Sequence, residues 1–539
     1  MKKNKRKILV TCALPYANGS LHLGHLLENI QADIWVRYHR MLKNEIYFIC
    51  AGDAHGTPIM LKCKKENLKP EDFVKKNISE HKFIFNKFNI IHDNYYSTHK
   101  NEHFFFLKRF FNILKKKKLI KKKKILQYYD LDNKMFLPDR FLIGICPYCF
   151  FKNQYGDICE NCSSVYSSLD LIKPRSILSN EKPVLKYSTH LFFNLPYFNF
   201  FLKKWIKTGV FQKSVLNKTK EFLKNGLKLW DISRENPYFG FKIPKYNKFF
   251  YVWFDALIGY ISSFNNFCNK KNINFNEYFT LNTKTELYHF IGKDIIYFHS
   301  LFWPSILEGV SFRKPTKIFV HGYVTFNNFK MSKSRNIIIT AKKWLKYYDS
   351  DSIRYYYASK LSNNIEDIEI NIEDFVNTIN SNIVNKIVNL ASRSSKVINK
   401  KFNNTLSEVI YNYDLYNYFV KKSFNIIFHF ENRNYNIIIK KIIHLSDIAN
   451  KYINDEKPWK YSNNFYFNSK LHMIYSMGIN LFRILITFLK PITPVLVKKS
   501  EFFLNKKLFF YNIDKPLLNH KISFFKNLYN RIYKNNIIK

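Results

Sequence analysis

Brief apolar runs at Ile8–Ala13 and Ile46–Cys50, separated by a helical repeat over Leu23–Leu42, stop and then resume at Phe249–Phe254, Glu286–Phe290 and Lys317–Val320. Short uninterrupted apolar runs between helices mark strands of a parallel sheet covered on both faces. A run that halts and resumes predicts one sheet split by an inserted domain. The spacing divides the chain into a first half at 1–116, an insertion at 117–247, a second half at 248–325, a connector at 326–384 and a helical domain at 385–539. From Asn385 onward, Ile/Leu/Phe periodicity without breakers predicts a helix bundle.

The first predicted strand runs straight into Pro15-Tyr-Ala-Asn-Gly-Ser-Leu-His-Leu-Gly-His25, which sets His22 and His25 around Gly24 at the opening of a helix. A helix N-terminus offers unpaired N–H groups that favour phosphate. Gly24, lacking a Cβ, leaves room for adenine or ribose to approach the backbone. Far along the chain, Lys330-Met-Ser-Lys-Ser334 supplies a small lysine-bearing loop. Together the two segments predict an ATP site that holds nucleotide through histidines and lysines, with no glycine-rich phosphate loop. Its chemistry would rest on positioning and charge stabilisation at the leaving pyrophosphate.

Composition qualifies this reading. The formal charge of +47 would suit a polyanionic partner. Lys, Asn, Ile, Phe and Tyr are abundant throughout, however, and a genomic A/T bias yields that excess by itself. The runs Lys115–Lys118 and Lys121–Lys124 read first as a solvated helical face. Glycine, by contrast, becomes informative because only 14 remain, under half the usual ~7%. Gly19, Gly24, Gly52, Gly56, Gly292 and Gly322 all lie in or beside the segments with predicted chemistry. No apolar run reaches the ~18 residues that span a membrane, and the basic N-terminus lacks a secretory core, so a soluble cytoplasmic chain is expected.

Cys146-Pro-Tyr-Cys149 and Cys159-Glu-Asn-Cys162 form paired C-x₂-C knuckles whose four thiolates suit one tetrahedral Zn²⁺. Four sulfur ligands leave no open position, so the metal would be structural. Cys12, Cys50, Cys63 and Cys268 read as buried small hydrophobes.

Three more segments fit the nucleotide site. Ala51-Gly-Asp-Ala-His-Gly-Thr57 follows a strand end, where an α/β sheet places ligands. Tyr251-Val-Trp-Phe-Asp-Ala-Leu-Ile-Gly-Tyr260 offers aromatic walls, and His289-Phe-Ile-Gly-Lys-Asp294 a carboxylate near a glycine. An apolar pocket bounded by a carboxylate suits an amino acid with an unbranched hydrophobic side chain.

From about Ile8 to the C-terminus the chain resembles the methionyl-tRNA synthetases, class I aminoacyl-tRNA synthetases of the bacterial type with a single zinc knuckle. ILVTCALPYANGS with HLGH, AHGTPIMLK, QYGDICENC, WDISRENPYFGF, ELYHFIGKDIIYFHSLFWP, VHGYVT, KMSKS and IVNKIVNLASR carry the likeness. It implies an α/β, Rossmann-like parallel-sheet catalytic domain split by a zinc-binding insertion, then a connector and an α-helical anticodon-binding bundle. Leu14, Tyr16, Trp253, Ala256, Tyr260 and His299 would line a methionine pocket, with Asp53 holding the ammonium. His22, Gly24, His25, Asp294 and Lys333 would bind ATP, and His22, His25, Lys330 and Lys333 would stabilise the transition state. Asn389, Arg393 and Trp459 would read the anticodon. The implied reaction activates L-methionine with ATP and Mg²⁺ and passes it to initiator and elongator tRNA(Met).

Leu257, Gly52 and Asn336 depart from the family's usual proline, aspartate and glycine. The chain stops soon after Ile532, before the C-terminal dimerising domain many relatives carry, so a monomer is expected. Neither a membrane nor DNA is an expected partner. Two other readings stay open here: a different enzyme bearing the HLGH and KMSKS signatures, and a zinc-bearing RNA-binding protein on a retired scaffold.

Overall fold

The computed structural model describes residues 5–535 apart from 157–158, 160, 163, 165, 327–328, 331–338, 462–465 and 467. Its centre is a five-stranded parallel sheet in the order Lys317–His321, Glu286–Gly292, β1 (Lys7–Cys12), β2 (Glu45–Gly52) and β3 (Asn94–Ser97). Ile8 of β1 lies opposite Ile46 on one side and Glu286 on the other. The chain thus leaves the central strand in one direction and, after the insertion, returns on the opposite side. That reversal opens a crevice at the carboxyl ends of β1 and Glu286–Gly292, where doubly wound sheets bind ligands.

Helix α1 (Leu23–Met41) crosses from β1 to β2 and buries Leu23, Leu26, Leu27, Ile30 and Ile34 against the sheet. Near its middle, Asp33 accepts from Arg354 at 2.6 Å, both side chains being fully buried. The same guanidinium donates to the carbonyls of Phe88, Pro491 and Ile492, tying the sheet domain to the C-terminal helices.

Two expectations are corrected in the split. Only Phe249–Phe250 is extended, pairing antiparallel with Ser233–Arg234 outside the parallel sheet, and Val252–Lys271 is a helix. That helix is buried from Phe254 to Phe264, so its sequence shows no polar face to mark its period. Lys121–Lys124 lie on the strand Ile120–Asp130, not on a helix. The strand pairs with Val184–Phe193 along its length, and the four lysines are exposed, with Lys122 over the Tyr246 ring and Lys124 over the Tyr187 ring. A pairing partner so distant in sequence overrides lysine's weak helix preference.

The insertion holds a four-stranded antiparallel sheet and a three-stranded sheet, Gln154–Tyr155, Leu142–Ile145 and Ile172–Ser176, beside the cysteines. The last part of the chain is helical: Ile372–Ile379, a π-helical stretch Asn380–Val388, Asn389–Lys401, Tyr413–Glu431, Tyr435–Glu456, Asn468–Leu489 and Pro494–Phe503. Contrary to the sequence reading, Asn468–Leu489 is long and apolar enough to span a bilayer, with mean hydropathy 1.4 over its most apolar window. Of that window 89% is buried inside the protein, which makes it the bundle's core helix.

Candidate active site

A cavity of about 1050 Å³ opens at the carboxyl ends of the central strands. Its walls come from the segment after β1, the start of α1, the loop after β2, helix Val252–Lys271, the turn after Glu286–Gly292 and the inner face of the insertion. Every residue expected in the ATP and methionine subsites and described with its side chain lines it: Leu14, Tyr16, His22, Gly24, His25, Asp53, Trp253, Ala256, Tyr260, Asp294 and His299. Lys330 ends the strand Phe329–Lys330. Its side chain, and Lys333 and Asn336 as a whole, lie outside the described residues.

The two signature histidines start α1 by capping one another. Gly24 N–H donates to His22 Nδ1 at 3.1 Å, and His22 N–H donates to His25 Nδ1 at 3.2 Å. This is a capping box built from imidazoles, which explains their three-residue spacing. With Nδ1 accepting, a neutral ring carries its proton on Nε2. Gly24 has a nearer purpose than the predicted room for nucleotide. A Cβ there would come within 2.9 Å of His22 Cε1.

Asp53 extends from the end of β2, held by backbone bonds from its N–H to the Pro15 carbonyl at 3.0 Å and from Ala17 N–H to its own carbonyl at 2.7 Å. Among the described residues its Oδ1 has no hydrogen-bond partner although it is buried. Burial first, and the neighbouring Asp255 second, push its carboxyl well above the ordinary range. A backbone bond from His55 opposes that rise, and a buried carboxyl with one oxygen left unpaired fits a cation.

The facing wall is apolar and uncharged. Trp253 stacks on Phe298 with ring centroids 3.7 Å apart. His299 lies on a π-helical turn, Phe298–Phe302. His299 Nδ1–H donates to the Ile295 carbonyl at 3.0 Å, leaving Nε2 to accept from the Tyr260 hydroxyl at 2.9 Å. Burial lowers its pKa to about 4, so the ring is neutral near pH 7. Leu257 borders the cavity from the next position of the helix. Gly52 faces Ile78, whose Cγ1 would sit 2.7 Å from a Cβ, so this core has no room for the family's aspartate.

Several cavity residues escaped the sequence reading. Glu28 follows His25 by one helical turn, a spacing that could have revealed it, and its Oε2 lies 3.5 Å from His321 Nε2. Burial raises the Glu28 carboxyl, with His321 opposing. His321 ends a sheet strand, as Asp53 nearly does. Behind the wall, Asp255 accepts from both His55 and His103, a network with no motif to announce it.

Two other groups stand apart. All four cluster cysteines are free thiols whose Sγ atoms lie within 4.8 Å of one another. The Cys146–Cys162 and Cys149–Cys159 edges are 3.8 and 3.5 Å. A tetrahedron with Zn–S bonds of about 2.3 Å has edges of about 3.8 Å, so the set fits a metal. In the bundle, Asn389 and Arg393 sit one turn apart on one helix. The Arg393 guanidinium lies 5.9 Å from the Trp459 ring centre and donates to Asn454 Oδ1 at 2.9 Å. Trp459 is 49% exposed.

The profile of the class I tRNA synthetases (M) matches residues 8–395. A methionine–tRNA ligase of Buchnera aphidicola subsp. Schizaphis graminum is 56% identical over 541 residues, covering 100% of this chain and 99% of its own. A methionine–tRNA ligase of Wigglesworthia glossinidia brevipalpis is 55% identical, with 99% and 98% covered. The structure of Mycobacterium tuberculosis methionyl-tRNA synthetase in complex with methionyl-adenylate superposes with a TM-score of 0.81 at 20% identity, covering 98% of this chain and 100% of that one. Profile, full-length identity and fold agree with the cavity at the switch point: the chain belongs to the methionine–tRNA ligases, class I aminoacyl-tRNA synthetases.

Proposed function

We propose that this chain joins L-methionine to ATP, releasing pyrophosphate, and then transfers the methionyl group to the 3′ adenosine of initiator and elongator tRNA(Met). The observation that carries the assignment is the unpaired buried Oδ1 of Asp53, which faces the same cavity as the histidine-capped start of α1. Asp53 holds the ammonium of methionine, and Leu14, Tyr16, Trp253, Ala256, Tyr260 and His299 surround its side chain. The neutral Tyr260–His299 pair offers no charge there, which favours a thioether over a charged side chain of similar length.

The methionine carboxylate oxygen attacks the α-phosphorus of ATP, and the bond to the β-phosphate oxygen breaks. His22 and His25 donate from Nε2 to phosphate oxygens as charge gathers on the leaving group, and Lys330 and Lys333 neutralise it. Asp294 takes the ribose hydroxyls, and Gly24 keeps the His22 ring in place. Mg²⁺ supplies further charge neutralisation on the triphosphate when it enters with the nucleotide. A ribose hydroxyl of the terminal adenosine then attacks the carbonyl carbon and AMP leaves. No protein nucleophile is needed.

Cys146, Cys149, Cys159 and Cys162 hold one structural Zn²⁺ that fixes the knuckle fold of the insertion. Asn389, Arg393 and Trp459 bind the anticodon through hydrogen bonds and stacking on unpaired bases. Amino-acid-dependent ATP–pyrophosphate exchange across the twenty amino acids tests the assignment. Exchange with methionine alone is expected, and no exchange with methionine overturns it.

A further inference from the structure

Three elements that share no motif meet behind the methionine wall. Asp255 lies in the first turn of helix Val252–Lys271, between Trp253 and Ala256, and is 1% exposed. One of its oxygens accepts from His103 Nε2 at 2.5 Å and the other from His55 Nδ1. His55 stands two residues after Asp53, and His103 comes from helix Asn101–Lys116; neither imidazole is exposed. The network continues from His55 Nε2 to His99 Nδ1 at 2.9 Å and from His103 Nδ1 to the Ser262 hydroxyl at 2.9 Å.

We propose that His103, acting through Asp255 and His55, is a positioning residue for methionine: it locks the apolar wall of the pocket to the loop that presents Asp53. Both oxygens of a fully buried carboxylate are satisfied here from different elements. Loss of either donor strands a buried charge, which relaxes only if the helix turn or the loop moves. A shift of the turn carries Trp253 and Ala256 with it, and a shift of the loop carries Asp53. The bonds described run on the methionine side of the cavity and involve none of His22, His25 or Asp294. His103 itself does not line the cavity. Its effect therefore falls on methionine affinity and spares ATP.

The inference rests on the pocket assignment above, and steady-state pyrophosphate exchange separates the two. His103→Ala is expected to raise KM for methionine at least tenfold, with KM for ATP and kcat within twofold of the wild type. His103→Gln, whose amide nitrogen replaces Nε2 as the donor to Asp255, is expected to restore most of the lost affinity. An unchanged methionine KM in His103→Ala overturns the proposal, as does an equal loss for both substrates or a failure of Gln to improve on Ala. Where His103→Ala does not fold, Asp255→Asn takes its place under the same two-substrate criterion. Asp53→Asn is the control. If it leaves methionine KM unchanged, the pocket assignment itself has failed; if it raises KM while His103→Ala does not, only the present inference falls.

Discussion

At the first turn of α1, His25 Nδ1 accepts from the His22 N–H while His22 Nδ1 accepts from the Gly24 N–H, and the two imidazole centroids lie 3.7 Å apart. One pair of side chains thus closes a helix end and lines the cavity. The two roles are separable. His22→Asn keeps a good N-cap but loses the distal donor. It is expected to leave the circular dichroism spectrum and melting temperature near those of the wild type, while methionine-dependent exchange falls on the order of 100-fold. A comparable loss of melting temperature and activity would show that capping alone explains the spacing.

Gly24→Ala places a methyl group against the His22 ring, 2.9 Å from Cε1. Alanine suits a helix interior better than glycine by about 0.8–1.0 kcal/mol, so propensity alone would favour the variant. The expected outcome is a folded enzyme with a large rise in KM for ATP and a small effect on methionine. Unchanged ATP kinetics would exclude both roles of the glycine, the packing against His22 and the room left for nucleotide.

Metal analysis of the purified protein is expected to find one zinc per chain, and Cys159→Ser to lose it. Cys159 lies 1% exposed within its own small core of Leu137, Leu142, Tyr166 and Leu171. Unfolding of the knuckle should therefore appear as local proteolytic sensitivity near residues 142–176, and pyrophosphate exchange should weaken with it, because Ser167, Ser168 and Leu169 of that stretch line the cavity. Full-occupancy zinc in Cys159→Ser counts against a four-thiolate site.

Arg354→Met removes a buried cation from Asp33 and four backbone carbonyls, those of Phe88, Asn89, Pro491 and Ile492. Breaking such a pair costs about 3–5 kcal/mol, although Arg37, 2.6 Å from the same Asp33 oxygen, moderates the loss. The urea midpoint should fall clearly, and Arg354→Met/Asp33→Leu should recover part of it. A midpoint unmoved by the single substitution would remove this contact from the forces joining sheet and bundle.

Acid should destabilise the fold earlier than carboxylates alone require. Burial lowers His39 and His92 to about 3 and His299 to about 4, against ~6.5 in an unfolded chain. Between those values the unfolded state binds more protons, so stability is complete above pH 6.5 and is lost as pH falls toward 3. Urea midpoints at pH 7 and pH 5 measure the slope. His92→Gln, which keeps a donor for Asn29 Oδ1 (3.0 Å from His92 Nε2), should flatten it.

What the sequence disclosed follows from where its information is local. The start of α1 was legible because a capping residue, a glycine and an apolar stripe fall within a few positions. The interrupted sheet was legible because strands buried on both faces need unbroken apolar runs. Asn94–Ser97 was missed because an edge strand written Asn-Tyr-Tyr-Ser lacks such a run. Helix Val252–Lys271 was partly misread as a strand because burial on every side hides its period. Lys121–Lys124 took strand geometry from Val184–Phe193, which no local pattern foretells. The Asp255 network was illegible for the same reason: residues 55, 99, 103 and 255 meet only through the fold.

The central strand has a biosynthetic history of its own. One edge of β1 is covered by β2 within the first few dozen residues, but the other waits for Glu286–Gly292. At roughly 5–20 residues per second, a ribosome delivers that partner tens of seconds later. Until then Ile8–Cys12 presents an apolar, unpaired edge of the kind that recruits other chains. The insertion that completes the cavity wall therefore also sets a period of vulnerability at birth, in which the nascent chain depends on being shielded from its neighbours.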